Sequence, residues 1–475
     1  MNEEQAPEKK DLARRLLSFF PAIAKPEYKH GINTKLKWTG IALLCYLLLS
    51  WTPVFGVDRE ASFEQFRFLE IVLGSKFGSL MTLGIGPIVT AGIIMQLLVG
   101  SKIINWDTTK PEGRKKFQTW NKLLGISLAF LEAIVFVIAG ALPVTGGAPI
   151  IVAVIFQLAL GGIIVILLDE LVTKWGFGSG ISLFIAAGVA TQLFIGLLSP
   201  LAAGGRYAGG IPGFIFGLLE GNSYSAMIYL IPVITTAVIL SIVVYVQHIN
   251  VEIPLSFSKI RGFGRPWALK LLYTSNIPVI LTAALLANVQ LLARVGTHIT
   301  PEGLTCGLLG CFDQSNNALS GAVYYLSAPG GGSVYNSFLM EIITGTLIHT
   351  EVFRALTYML FLVIGSVIFS VFWVNTAGMG ASTVAGQLGG AGMQISGYRR
   401  DDRVMESVLN RYIPALSVLG GIAIGLLAAT ADLIGAIGTG TGILLTVMIM
   451  YNYYEQLQRE NLDEAHPFIR KLAGG

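Results

Sequence analysis

The sequence predicts an all-α membrane protein: ten spanning helices arranged as two inverted halves of five. Three observations predict it. Of 475 residues, 53% are hydrophobic and only 13% are charged, with a mean hydropathy of +0.67. A soluble domain of this size carries about 25% charged residues, so lipid is the solvent for most of the chain. Ten apolar runs are close to the roughly 20 residues that a spanning helix needs: 36–56, 82–100, 121–142, 149–169, 178–199, 224–247, 276–295, 355–375, 412–432 and 436–455. Third, the second run of each five-span half opens on a break and then echoes the other, PIVTAGIIMQLL (87–98) against PVILTAALLANVQLL (278–292). Five spans per half make the halves run in opposite directions, the inverted-repeat arrangement with a working path between them.

The N-terminal tail, 1–35, does not read as a cleavable signal peptide. Its first apolar run starts near Leu36, is too long for a signal core and lacks a small-residue cleavage site. Leu12, Leu16, Leu17 and Phe20 share one helical face among Lys9, Lys10, Arg14 and Arg15. That pattern fits an interfacial amphipathic helix, or equally a helix docked on a partner.

Orientation follows from the 32 Lys and Arg residues. With the N-terminus in the cytoplasm, only Arg59, Arg67, Lys76, Arg206, Arg294 and Arg354 fall on the outer side, as the positive-inside rule requires. Ten spans then put both termini in the cytoplasm. The expected organisation is a tail (1–35), an N-terminal half (36–199), span six with the 6/7 loop (200–270), spans seven to ten (271–455) with the 8/9 loop at about 377–410, and a tail (456–475). The stretch 336–376 is long enough for a surface helix plus a span.

The spans carry breaks with a purpose. LGIGPIVTAGIIMQLLVG (83–100) starts with Gly84, Gly86 and Pro87, and NIPVI (276–280) places Pro278 at the start of the seventh span. Gly and Pro are tolerated at membrane depth where protein or water satisfies the freed backbone groups. Before the first break lies FEQFRFLEIVLGSKFGSL (63–80), apolar but charged and too interrupted to span. Its Phe63, Phe66, Phe68, Leu69, Ile71 and Val72 either bury in an outer funnel mouth or lie on the membrane surface.

Several chemistries are missing. The chain has no GxxxxGK[ST] loop, no HExxH and no metal-spaced Cys/His cluster, and GTGTG (438–442) lacks the strand–turn–helix context of a dinucleotide site. Neither a cofactor nor a metal is expected. Coupled transporters usually place several ionisable residues within their spans. Here Glu132 lies mid-span, with Asp169 and Glu170 at an inner end and Asp432 at an outer end. Glu132 should face other helices or water, and in the simplest case is a protonated acid bonded to a neighbouring helix. A small-solute transporter is therefore disfavoured, and an intramembrane protease would need a paired catalytic set. Of the three cysteines, Cys45 lies in the first span. Cys306 and Cys311 share the outer loop 296–335, where an oxidising side permits a disulfide and two free thiols are the alternative.

LGIGPIVTAGIIMQLLVG (83–100), DELVTKWGFGSGISLFIAAG (169–188), VEIPLSFSKIRG (251–262), NIPVIL (276–281) and GTGTGILLTV (438–447) together resemble the SecY family. This is the large subunit of the protein-conducting channel, and the likeness is greater to its archaeal and eukaryotic branch. It extends from about residue 30 to about 470.

The resemblance implies ten spans around an hourglass pore and passive passage of unfolded polypeptide, with no enzymatic activity. It implies an apolar pore ring at Ile85, Val89, Ile181, Ile185, Ile280 and Leu445, and a plug at about 61–79. It implies a lateral gate with polar residues Thr90, Glu132 and Asn288, through which signal sequences and apolar helices reach the bilayer. Ribosome docking would fall to Lys259, Arg261 and Arg265 of the 6/7 loop and to Arg399, Arg400 and Arg403 of the 8/9 loop. The implied partners are SecE-type and beta-type small membrane subunits, the ribosome, and the signal recognition particle with its receptor. The implied location is the plasma membrane.

Overall fold

A computed structural model describes residues 23–28, 31–57, 78–101, 103–108, 110–138, 142, 144–200, 202–203, 206–207, 209–257, 264–293, 298–299, 305–307, 309–312, 318–329, 337–390, 393–395 and 402–464. Each of the ten expected spans coincides with a helix. These are α1 (Ile32–Trp51), α2 (Gly86–Gly100), α3 (Pro111–Ile138), α4 (Ala148–Trp175) and α5 (Gly180–Leu198) in the first half. The second half contains α6 (Ser223–Gln247), α7 (Ile277–Leu292), α8 (His349–Thr376), α9 (Asp402–Ile434) and α10 (Gly440–Glu464).

Some boundaries differ from expectation. α3 begins ten residues early, α9 and α10 reach well beyond their apolar runs, and α8 follows a short separate helix, Phe338–Thr344. Hydropathy detects only the stretch that faces lipid. A helix whose backbone bonds are already made continues into water as long as its side chains allow.

α2 and α7 are short. At about 1.5 Å per residue, the 15 residues of α2 reach only about 22 Å of a hydrocarbon core about 30 Å thick. A turn that is not helical completes the crossing: Thr82, Gly84 and Gly86 donate their N–H groups to Ser79, Met81 and Leu83 carbonyls. Irregular backbone survives at this depth only when protein surrounds it, and Ser79, Met81, Thr82 and Leu83 are all fully buried. α4 provides the cover. Its Gly161 lies so close that a Cβ there would sit 1.8 Å from the Leu80 carbonyl oxygen.

Ion pairs and bridges show how the helices alternate. Lys122 on α3 pairs with Glu170 on α4 at 2.7 Å, and Lys174 pairs with the same carboxylate at 2.5 Å. The start of α3 and the end of α4 therefore share one face, here called the basic face. Val57, beyond the end of α1, bridges Val144, just before α4, at the opposite face. The two halves meet where α2 packs on α7 and α8, and where α5 packs on α10.

Besides a two-residue pairing of Ala202–Ala203 with Arg206–Tyr207, two small antiparallel sheets among the described residues cap the bundle. At the basic face, β1 (Asn250–Phe257) pairs with β2 (Gly264–Lys270). At the opposite face, β3 (His298–Ile299), β4 (Thr305–Gly307), β5 (Gly310–Phe312) and β6 (Ala318–Gly321) form a four-stranded meander. In it Cys306 lies opposite Cys311 with Cα atoms 4.0 Å apart, and their sulfurs are bonded. β7 (Met393–Ile395) then adds to the free side of β1, so the 6/7 and 8/9 loops fold as one sheet.

Candidate functional site

The bundle centre is an apolar collar. α2 brings Ile85 at its N-cap and Val89 one turn later; α5 brings Ile181 and Ile185 with the same spacing. Side chains four residues apart lie on one helical face, so each helix presents a pair. α7 adds Ile280 and α10 adds Leu445. All six pack into one contiguous apolar cluster, five of them buried and Ile181 partly so. Such a collar has no fixed polar ligand and can close a pore by excluding water.

Val89, Ile181 and Ile280 also line a cavity of about 530 Å³ on the basic-face side. Its lining mixes apolar side chains, among them Ile88, Phe117, Ile277 and Trp373, with the polar Gln96, Asn121, Ser179, Asn276, Asn452 and Gln456. Gln96 Oε1, Asn121 Oδ1 and Asn276 Nδ2 are buried and find no partner among the described residues. An unsatisfied buried polar group costs about 1–3 kcal/mol, so the polar side of this lining is incompletely paired among the described residues. The cavity thus carries carboxamides on its lining and ends at the apolar collar.

A polar seam runs beside the collar. Asn288 on α7 donates to the Thr90 hydroxyl on α2 at 3.0 Å. The buried Glu132 carboxyl on α3 lies beside the same hydroxyl. Three helices from both halves thus meet at one threonine. Glu132 Oε1 has no partner among the described residues, so the junction is incompletely satisfied there.

The SecY family model matches residues 79–454 of the chain. The chain belongs to the SecY family. A protein translocase subunit SecY from Pyrococcus furiosus is 41% identical over 98% of this chain and 99% of its own length. Among solved structures, that of a protein-conducting channel matches with TM-score 0.81 at 41% identity, covering 95% of this chain and 98% of that one. Sec61 in the canine ribosome-channel complex from the endoplasmic reticulum matches with TM-score 0.77 at 40% identity, over the same shares. The chain is thus a multi-pass membrane protein of a transport channel family, with the ten-helix SecY fold and the function of a protein-conducting channel.

The remaining expected site residues of this SecY-family chain divide in two. The plug residues Phe63, Phe66, Phe68, Leu69, Ile71 and Val72 lie outside the described residues, as do Lys259, Arg261, Arg399, Arg400 and the amphipathic tail 1–22. Of the segment expected to be the plug, the downstream end is described: Val54 donates its N–H to the Gly78 carbonyl, which ties that end to the end of α1. Arg265 shares a register row with Leu255 and Ile395 in the basic-face sheet. Arg403 lies exposed in the first turn of α9. Below the sheet, Tyr273 donates to the Met379 carbonyl at 2.8 Å. Burial pushes its phenol above the ordinary range, so it remains a donor.

Sequence reasoning missed the vestibule amides. Gln96, Asn121, Asn276 and Asn452 look like tolerated polar residues near span ends. The available signal was their type: carboxamides on four different spans, each near the basic face.

Proposed function

We propose that the chain conducts unfolded polypeptide passively, along a wet vestibule, through the collar and out by an opposite funnel. The observation that carries this reading is a cavity, lined in part by carboxamides, that ends at Val89, Ile181 and Ile280 of the apolar collar. An extended chain exposes backbone groups that each cost several kcal/mol in hydrocarbon. A hydrated path removes that cost, and a branched aliphatic collar yields to a passing chain yet blocks ions. In this reading Ile85, Val89, Ile181, Ile185, Ile280 and Leu445 form the pore ring, and segment 61–79 is the plug.

Thr90, Glu132 and Asn288 then hold the lateral gate. The seam between α2 and α7 supports this, because a single hydrogen bond there joins the two halves. Export of weak-signal substrates should change in Glu132→Leu; unchanged export would count against the gate.

The basic face is read as cytoplasmic, with both termini on it and the protein in the plasma membrane. Lys259, Arg261, Arg265, Arg399, Arg400 and Arg403 would dock a ribosome, supported by the ribosome-bound Sec61 relative. Affinity of that kind weakens steeply with salt. SecE-type and beta-type subunits and the signal recognition particle with its receptor complete the proposed set of partners. The reading assigns no catalytic residues, so a partner supplies the driving force.

The deciding test is crosslinking of a stalled secretory nascent chain to a cysteine placed at Ile85 or Ile181, with Cys45 replaced and the Cys306–Cys311 bond kept. Crosslinks that need a signal sequence are expected. Export without crosslinks would return the six aliphatic residues to ordinary packing.

A further inference from the structure

Two of the four collar helices begin in the same unusual way. Near the end of α4, Asp169 turns its carboxylate toward the start of α5: Oδ1 accepts the Ile181 N–H at 2.9 Å and the Ser179 hydroxyl at 3.4 Å. The Gly180 N–H points to the same carboxylate. Near the end of α9, Asp432 treats the start of α10 alike: Oδ1 accepts the Thr441 N–H at 3.1 Å, and Oδ2 bonds the Thr441 hydroxyl. The Gly440 N–H joins it. The two devices lie in opposite halves of the chain and at opposite faces of the membrane.

Their surroundings match as well. A glycine opens each helix because the preceding helix lies against it. A Cβ on Gly180 would sit 2.6 Å from Asp169 Cα, and one on Gly440 would sit 2.1 Å from the Ala431 carbonyl carbon. A tyrosine from another helix completes each cluster. Tyr453 of α10 donates to the Ser179 carbonyl at 2.9 Å, and Tyr358 of α8 donates to Asp432 Oδ2 at 2.8 Å.

We propose that Asp169 and Asp432 are paired positioning residues of the collar, each locking the first turn of a collar helix onto the helix before it. This rests on the collar reading given above. The first N–H groups of any helix lack intrahelical acceptors, and in a bilayer water does not substitute freely. A carboxylate accepts one of them together with a hydroxyl at the helix start and is favoured by the helix dipole. Ile181 is itself a donor to Asp169, Ile185 follows one turn on, and Leu445 lies one turn past Thr441. Each aspartate therefore sets the axial height of its helix's contribution to the collar. α2 is different: Pro87 stands in its first turn and no side chain caps it. Likewise α7 has Pro278 in its first turn. Among the described residues, a carboxylate pins half of the collar, and no carboxylate does so at the half beside the polar seam.

The test is small-ion leak from proteoliposomes containing the full chain with any membrane subunits that stay bound, normalised to monodisperse channel. Ile85→Ser and Ile181→Ser serve as collar references. Asp169→Ala and Asp432→Ala should raise leak at least about fivefold, as a displaced collar admits water. Asp169→Asn and Asp432→Asn retain an acceptor and should restore the seal. Gly180→Ala and Gly440→Ala keep the carboxylates but push the helices off them, so they should leak like the alanine variants. They also decide the matter if an aspartate variant fails to fold. Leak in the collar references with none in the aspartate or glycine variants would overturn the proposal. So would asparagine variants that leak as much as alanine. A tight seal in the collar references would instead refute the collar reading beneath it.

Discussion

Asn288 Nδ2 donates to Thr90 Oγ1 at 3.0 Å, and this contact joins α7 of one half to α2 of the other. Neighbouring positions on the two helices are apolar, so little else specifies how the seam closes.

The contact should be measurable as a coupling. Thr90→Ala and Asn288→Ala, combined in a double-mutant cycle on detergent unfolding, should show an interaction of about 0.6–1.7 kcal/mol, the range found between membrane helices. Strict additivity would mean that the two side chains do not share a bond.

The vestibule should be wet and the collar dry. A cysteine at Asn276, beside the cavity, should react with a polar thiol reagent at least about tenfold faster than one at Ile185, which is fully buried, because only a polar cavity holds water. Equal rates would mean that the cavity is not hydrated as argued.

The Cys306–Cys311 bond closes a short loop within the β3–β6 sheet. By loop entropy it contributes about 2 kcal/mol, and the effect should remain local. Replacing both cysteines by serine should speed hydrogen exchange across the described parts of 298–321 and leave α7 and α8 unchanged. Alkylation with and without reductant should differ by two thiols; the same mass in both would show that the bond is absent.

Arg354 is buried at the start of α8. It donates to the Ser327 and Ala328 carbonyls at 2.9 and 3.0 Å and pairs with Glu351. Its guanidinium also covers the Tyr324 ring. Arg354→Leu removes one partner of a buried pair and should destabilise the channel by about 3–5 kcal/mol. Adding Glu351→Leu should recover part of that loss. If the double variant is no better than the single, the carbonyl contacts dominate and the ion pair matters little.

Much of this protein was legible from the chain alone. The ten spans, their order and the short α2 and α7 follow from hydropathy and from the placement of Pro87 and Pro278. They are local in character: a helix in lipid must satisfy its own backbone, so composition over 20 residues decides it. The loop carrying Cys306 and Cys311 was also evident, though whether the sulfurs bond depends on the register of β4 with β5. Helix ends were less legible, because α9 and α10 extend into water on amphipathic residues that hydropathy does not mark.

What the tertiary structure decided is which side chains meet. Nothing near Asp169 or Asp432 announces an acceptor, since their donors are 12 and 9 residues further on and become neighbours only after the chain turns back. Thr90 finds Asn288 across 198 residues. Ile85 and Leu445 are indistinguishable from lipid-facing aliphatics until two halves close around them. Sequence determined the elements because each element satisfies its own hydrogen bonds. The collar, seam and anchors required the fold, because each is made by side chains from different helices.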